Sequence, residues 1–217
     1  FGVGDGLFAA SVFADVDGDG APEVVAIGNS FAYVYSPLTG QLLHRSLDLG
    51  SVPYGVSSVF TADIDGDGDD EVLLATNNPY APAINSRRLT LLDLNASGVL
   101  APVWTASVAN VGADLHAWPG QGPLVDLDGD GRPEVVHGFY DSASLSWSTF
   151  VRDPRTGDIL DMIPGRLVGV APLSDVLHVL VTATPNGPMQ SFSWTPTTLT
   201  QGPDVPGDTL VYRTLTT

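Results

Sequence analysis

The sequence predicts an all-β fold, a β-propeller of four-stranded antiparallel blades, and three observations lead to this prediction. A nine-residue acidic segment occurs three times, at residues 15–23, 63–71 and 126–134. Each copy lies between two short apolar runs, which are typical of buried strands. Further along each unit, a turn rich in Pro, Gly, Ser or Asn separates two more strand-like runs. Four strands in a unit of about 50 residues are the pattern of a propeller blade.

We expect four such units, at approximately residues 7–50, 51–106, 107–165 and 166–217, which make up a single propeller domain or propeller segment. The fourth unit lacks the acidic segment, so we expect it to bind no metal. The tail at 208–217 predicts one more strand, which either closes the ring on the first unit or begins a fifth blade. The ring therefore either closes with four blades or is part of a larger propeller that further blades or chains complete.

Each acidic segment has carboxylates at its positions 1, 3, 5 and 9 and glycine at position 6. Two such charges about 4 Å apart cost roughly 4 kcal/mol at an effective dielectric near 20 unless a cation lies between them. Ca²⁺ is a hard cation that takes oxygen ligands in flexible geometry, and glycine permits the sharp turn that points the odd-numbered side chains inward. The segments are not EF-hands, because position 12 is Ala26, Leu74 or His137 instead of Glu. They therefore predict three calcium loops of another kind.

The run from Phe13 to Val25 resembles the FG-GAP/VCBS repeat family, which includes the propellers of integrin α-chains. The resemblance covers the first three units well and the fourth poorly. It implies that the side chains at positions 1, 3, 5 and 9 and the backbone carbonyl at position 7 bind Ca²⁺. Integrin-like propellers have seven blades, against four candidate units here, and the family often has Asp where this chain has Glu at position 9. The implied ligands are Asp15, Asp17, Asp19, Ala21 and Glu23; Asp63, Asp65, Asp67, Asp69 and Glu71; and Asp126, Asp128, Asp130, Arg132 and Glu134.

The chain has 25 acidic residues, 8 basic residues and a net charge of −17. This balance argues against a nucleic-acid partner or an anionic membrane surface, since either needs a basic patch. No apolar run approaches the 18 residues typical of a membrane span. The chain begins at Phe1, so we expect a processed product or a piece of a longer protein. Calcium sites of millimolar affinity are filled outside a cell, which predicts an extracellular, cell-surface or periplasmic location.

Strand directions alternate within a blade, so the acidic loops and the turns share one face of the propeller. The longer connections lie on the opposite face, and insertions in repeat proteins gather on the binding face. We therefore predict a non-catalytic, calcium-stabilised interaction or adhesion module that binds protein or glycan there. Its candidate residues include the types enriched at interface anchors; the alternative is that they are ordinary loop residues packing on one another. They are Tyr80, Arg87, Arg88, His116, Trp118, Tyr140 and Asp141.

Two other functions remain open at this point. The sequence has no metalloprotease, nucleophile-elbow or phosphate-loop motif, and its four histidines lie in different units without ligand spacing. His116, near Asp114 and Trp118, could serve as acid or base in a polysaccharide-active enzyme, and some members of the family that the chain resembles are polysaccharide lyases. The third possibility is a structural subunit of an extracellular assembly. His137 and His178 lie in apolar runs and are expected to line the core.

Overall fold

The computed structural model describes residues 11–28, 30–49, 56–77, 87–107, 123–141, 144–173, 176–182, 187–196 and 198–205. The regular secondary structure of these residues consists of β-strands. None of these residues forms a helix that is long and apolar enough to cross a membrane. The all-β prediction is confirmed. The strands are β1 (Val12–Ala14), β2 (Glu23–Ile27), β3 (Ala32–Tyr35), β4 (Leu42–Ser46), β5 (Val56–Ala62), β6 (Glu71–Asn77), β7 (Arg87–Leu94), β8 (Val99–Ser107), β9 (Leu124–Val125), β10 (Glu134–Asp141), β11 (Ser146–Arg152), β12 (Ile159–Pro164), β13 (Arg166–Leu173), β14 (Val176–Thr182), β15 (Met189–Thr195) and β16 (Thr198–Val205).

The strands form four antiparallel meanders of consecutive strands, here called units 1 to 4 (β1–β4, β5–β8, β9–β12 and β13–β16). Units 3 and 4 are separate four-stranded sheets. Units 1 and 2 instead share one eight-stranded sheet, because Arg45 and Ser46 of β4 pair in parallel with Val99 and Leu100 of β8. Among the described strands, a four-stranded antiparallel sheet is therefore found separately only in units 3 and 4, whereas units 1 and 2 merge at this pairing. The physical reason is that the two last strands lie side by side, and this short pairing satisfies edge groups that would otherwise stay open.

Successive units pack face to face, as the blades of a propeller do. The sequence of β6 is apolar at consecutive positions because its side chains alternate between two buried clusters. Val72 and Leu74 pack towards unit 1, and Leu73 and Ala75 pack towards unit 3. A third buried cluster joins unit 3 to unit 4 through residues such as Val151 of β11. The described core thus joins unit 1 to unit 2, unit 2 to unit 3 and unit 3 to unit 4. Closure of the ring stays a prediction. The predicted strand at 208–217 lies outside the described residues.

A polar side chain from the last strand of a unit reaches the turn of the next unit in all three junctions. His44 Nδ1 of β4 lies 3.2 Å from the Gly98 carbonyl. Trp104 Nε1 of β8 donates to the Pro154 carbonyl at 2.7 Å. Asp161 Oδ2 of β12 accepts from the Leu199 amide at 2.6 Å. These contacts fix each turn against its neighbour, so the faces that carry the turns stay aligned along the series.

Candidate metal centres

Each acidic loop connects the first and second strands of units 1, 2 and 3. The glycines at position 6, Gly20, Gly68 and Gly131, have φ of +86°, +101° and +89°. Side chains with a Cβ rarely adopt this conformation, so the glycine at this position is required by the turn itself. The turn brings the residues at the start of the loop back towards the strand that follows it.

The glutamate at position 9 opens the second strand of each unit and folds back over the loop. Its Oε2 accepts the backbone N–H of position 2, at 3.0 Å from Val16, 2.6 Å from Ile64 and 2.9 Å from Leu127. Glu23 and Glu71 are buried, with 4% of each exposed. One carboxylate oxygen is thus fixed to the backbone, which leaves the other oxygen for a cation.

The structure brings carboxylate oxygens together in all three loops, with the oxygens of each group within 4.8 Å of one another. A single Ca²⁺ spans that distance, because its ligands lie at about 2.3–2.6 Å and opposite oxygens are separated by about twice as much. Two predicted side-chain ligands, Glu23 and Asp130, do not belong to these groups. The groups are Asp15–Asp17–Asp19, Asp63–Asp65–Asp67, Asp67–Asp69–Glu71 and Asp126–Asp128–Glu134.

The second loop contains a ligand candidate that the spacing alone does not reveal. Asp69, expected to contribute only its backbone carbonyl, places its side chain with Asp67 and Glu71. Only this copy has acids at positions 7 and 8, where the other copies have Ala21 and Pro22 or Arg132 and Pro133. These two additional acids were the sequence signal that could have identified the Asp69 side chain as a ligand candidate.

Burial and like charge oppose ionisation of several loop carboxylates. Burial raises the pKa of Glu71 and that of Glu134 to about 7, and it raises the pKa of Glu23 as well. Burial also raises the pKa of Asp69 to about 7, and a side-chain hydrogen bond from Asp69 lowers the pKa of Asp67. Groups that resist ionisation in this way become fully ionised when a cation supplies the missing positive charge.

Two buried carboxylate oxygens, Asp15 Oδ1 and Asp69 Oδ1, have no hydrogen-bond partner. Leaving a buried acceptor unsatisfied costs about 1–3 kcal/mol, and more when the group is charged. Both oxygens belong to carboxylates of the groups above, so a cation bound there would satisfy them. The residues present therefore fit a calcium ion, which as a hard, oxygen-seeking cation would screen their mutual repulsion.

The imidazole of His44 and the guanidinium of Arg155 approach the acidic loops from the same end of the sheets. His44 Nε2 lies 3.9 Å from Asp17 Oδ2. Arg155, in the turn between β11 and β12, donates to the Asp65 carbonyl at 3.2 Å. The turn of unit 3 and the acidic loop of unit 2 therefore share one face of the molecule.

The predicted partner-binding residues fall at or beyond the limits of the described structure. Tyr80, His116 and Trp118 lie outside the described residues. Arg87 and Arg88 begin β7, and the Arg87 backbone pairs with Asn77 at the end of β6 farthest from the acidic loop. Strand β10 ends at Tyr140 and Asp141, whose backbones pair with Trp147 and Ser146.

Part of the chain matches a known repeat family. Residues 15–74 match the FG-GAP-like repeat. This match spans the first acidic loop, the second acidic loop and the strands between them, and it confirms the FG-GAP resemblance over that part of the chain. The match ends within β6 and does not include β7 and β8 of unit 2.

No curated protein matches the chain. A crystal structure of the exotype rhamnogalacturonan lyase YesX is similar over 92% of this chain and 65% of its own, with 12% sequence identity and a TM-score of 0.32. The chain thus spans less than two thirds of the length of that structure. A likeness of this size carries no argument about the activity of the chain.

Proposed function

We propose that this protein is a calcium-stabilised, propeller-type interaction module with one calcium ion in each of its three acidic loops. The observation that carries the proposal is the triplicate loop, in which carboxylate oxygens converge within 4.8 Å and two of the buried oxygens lack any partner. The match to the FG-GAP-like repeat and the glutamate that closes each loop support the same role. The ions would hold the first two strands of units 1, 2 and 3 together at the loop end.

Calcium stoichiometry tests the metal part of the proposal. We expect equilibrium dialysis followed by elemental analysis to give three ions per chain. Glu71→Gln removes a ligand charge while keeping its shape, so this variant should retain two ions at calcium concentrations that fill the wild-type sites. Asp204→Asn is the matched control, because Asp204 is an exposed acid in β16, away from the loops, and it should retain three. A wild-type chain that binds no calcium would overturn the proposal.

We further propose that the module is secreted or surface-exposed and binds protein or glycan without catalysing a reaction. Sites of this type are filled at millimolar extracellular calcium. The candidate surface is the end of the sheets opposite the acidic loops, where the backbones of Arg88 and Tyr140 lie in the β6–β7 and β10–β11 hairpins. Loops at such an end, held on a rigid scaffold, are the usual location of binding residues.

Binding to panels of immobilised polysaccharides and proteins tests the partner part. We expect Arg88→Ala to weaken binding at least several-fold, since an arginine at an interface centre typically contributes more than 1 kcal/mol. Arg155→Ala is the control, because Arg155 lies at the acidic-loop end and should leave binding unchanged. Equal loss in both variants would count against the surface. Depolymerisation of a bound polysaccharide would favour the enzyme alternative, and a solution mass that is a multiple of 22.7 kDa would favour the structural-subunit alternative.

A further inference from the structure

The first and second acidic loops hydrogen-bond to each other through a single residue pair. Asp70 Oδ2 accepts the backbone N–H of Asp15 at 3.0 Å, and the Asp70 N–H donates to the Asp15 carbonyl at 2.6 Å. A Cβ built on Gly18 would lie 3.5 Å from the Asp69 Cβ, so the two loops also approach each other closely beside this pair. The peptide groups on both sides of Asp15, the first ligand candidate of loop 1, are therefore held by loop 2.

Asp70 occupies position 8 of its loop, and the other two copies have proline there, Pro22 and Pro133. Proline has neither a carboxylate nor an N–H, so neither copy could make this pair of hydrogen bonds. Among the described residues, no residue of loop 3 hydrogen-bonds to loop 1 or loop 2. The contact is thus specific to the junction between the first two loops.

We infer that Asp70 is a positioning residue for the first metal centre, and that it couples calcium binding in loop 1 to calcium binding in loop 2. The inference rests on the proposed calcium role. Asp70 lies between Asp69 and Glu71, two candidate ligands of loop 2, so a cation there fixes the Asp70 backbone. A fixed Asp70 holds Asp15 in its binding conformation. An ion that then binds in loop 1 has fewer groups of that loop to order. Such coupling is reciprocal, because each ion must change the affinity of the other by the same factor.

Isothermal titration with calcium alone measures this coupling. Asp128→Ala serves as the background, since it removes the third site and leaves the two coupled loops. Adding Asp65→Ala leaves only loop 1, and adding Asp17→Ala leaves only loop 2. The coupling factor is the product of the two stepwise association constants in the background divided by the product of the two single-loop constants. We expect a factor of about 5–150, the range typical of coupled sites.

Two substitutions of Asp70 then identify the residue responsible. Asp70→Pro gives loop 2 the residue that the other loops already have at this position, so the loop conformation is compatible with it, and the factor should fall to one. Asp70→Asn keeps the N–H and an acceptor oxygen, so most of the coupling should remain. Amide exchange at Asp15 gives a second readout: calcium in loop 2 alone should slow it, and Asp70→Pro should abolish that effect.

The outcomes separate this inference from the proposed function. Three bound ions with a coupling factor of one would overturn the coupling and leave the calcium role intact. A factor that survives Asp70→Pro would overturn the assignment to Asp70. A chain that binds no calcium in any variant would overturn the proposed function itself.

Discussion

Removal of calcium with EDTA is expected to lower the free energy of unfolding by about 4 kcal/mol. For a dissociation constant near 0.1 mM and about 1 mM Ca²⁺, each of three sites adds roughly 1.4 kcal/mol by mass action, before any coupling between loops 1 and 2 is counted. That is a large share of a typical total of about 5–15 kcal/mol. Thermal unfolding followed by circular dichroism should therefore show a midpoint roughly 8–16 °C lower in EDTA, from about 2–4 °C per kcal/mol for a chain of this size. EDTA should lower the unfolding midpoint of the Glu71→Gln variant by less than that of the wild type. Superimposable wild-type unfolding curves with calcium and with EDTA would contradict the prediction.

The same experiment should depend on pH in a defined direction. Without calcium, burial holds the pKa values of Glu71, Glu134 and Asp69 at about 7, above the values near 4 of an unfolded chain. Groups raised in this way contribute stability that is complete below the unfolded pKa and is lost as the pH rises through the folded pKa. Calcium acts in the opposite direction, because it binds the ionised carboxylates.

The calcium-induced gain in melting temperature should therefore grow between pH 5 and pH 7.5. Burial lowers the pKa of His137 well below its usual value, which makes the folded state less stable as the pH falls. The contribution of His137 is the same with calcium and with EDTA. The difference between the two melting temperatures therefore reports on the acidic loops alone. A gain that shrinks over this pH range would contradict the assignment of these carboxylates as ligands.

Local features of the fold and the loops were predictable from the sequence because they repeat. The strands on both sides of each acidic loop follow from short apolar runs, and the glycine at position 6 follows from the turn that the carboxylates require. The resemblance implied that the glutamate at position 9 is a calcium ligand. Its hydrogen bond to position 2, as between Glu71 and Ile64, lies within the same loop and so depends on short-range geometry only.

Contacts between distant segments were not predictable in this way. The parallel pairing of Arg45 with Val99 and the hydrogen bonds between Asp15 and Asp70 join segments that more than 50 positions separate. No periodic signal in a single sequence specifies which edge strand meets which. The approach of two loops depends on how the sheets stack, although the unusual acids at positions 7 and 8 of loop 2 marked it as different.

His137 illustrates the same limit inside the core. An apolar run predicted that this histidine is buried, and it is fully buried. Its Nε2 accepts a hydrogen bond from Arg152 Nε at 2.8 Å, and its ring stacks on Phe150 at 5.2 Å between centroids. Arg152 also donates to the Gly157 carbonyl at 2.7 Å. The pattern of one strand predicts burial, whereas the partner of a buried polar group depends on the neighbouring strand and turn.

Gly157→Ala is expected to be strongly destabilising because it affects the junction between units 2 and 3. Gly157 has φ of +74°, and an added Cβ would lie 2.6 Å from Trp104 Cδ2. The indole cannot withdraw freely, since its Nε1 donates to the Pro154 carbonyl at 2.7 Å. The left-handed backbone costs an alanine about 1–2 kcal/mol, and forced overpacking adds about 1–3 kcal/mol.

Gly98→Ala is the matched control for this prediction. Gly98 lies in the corresponding turn of unit 2 with φ of +72°, but its added Cβ would approach only the His44 ring, at 3.4 Å. Both variants carry the same backbone strain, so denaturant unfolding should show that Gly157→Ala loses about 1–3 kcal/mol more. In a Trp104→Ala background, that excess should disappear, because the colliding ring is absent. Equal losses in the two glycine variants would show that the indole does not fix the turn of unit 3, and the junction would then depend on the buried apolar cluster between units 2 and 3 alone.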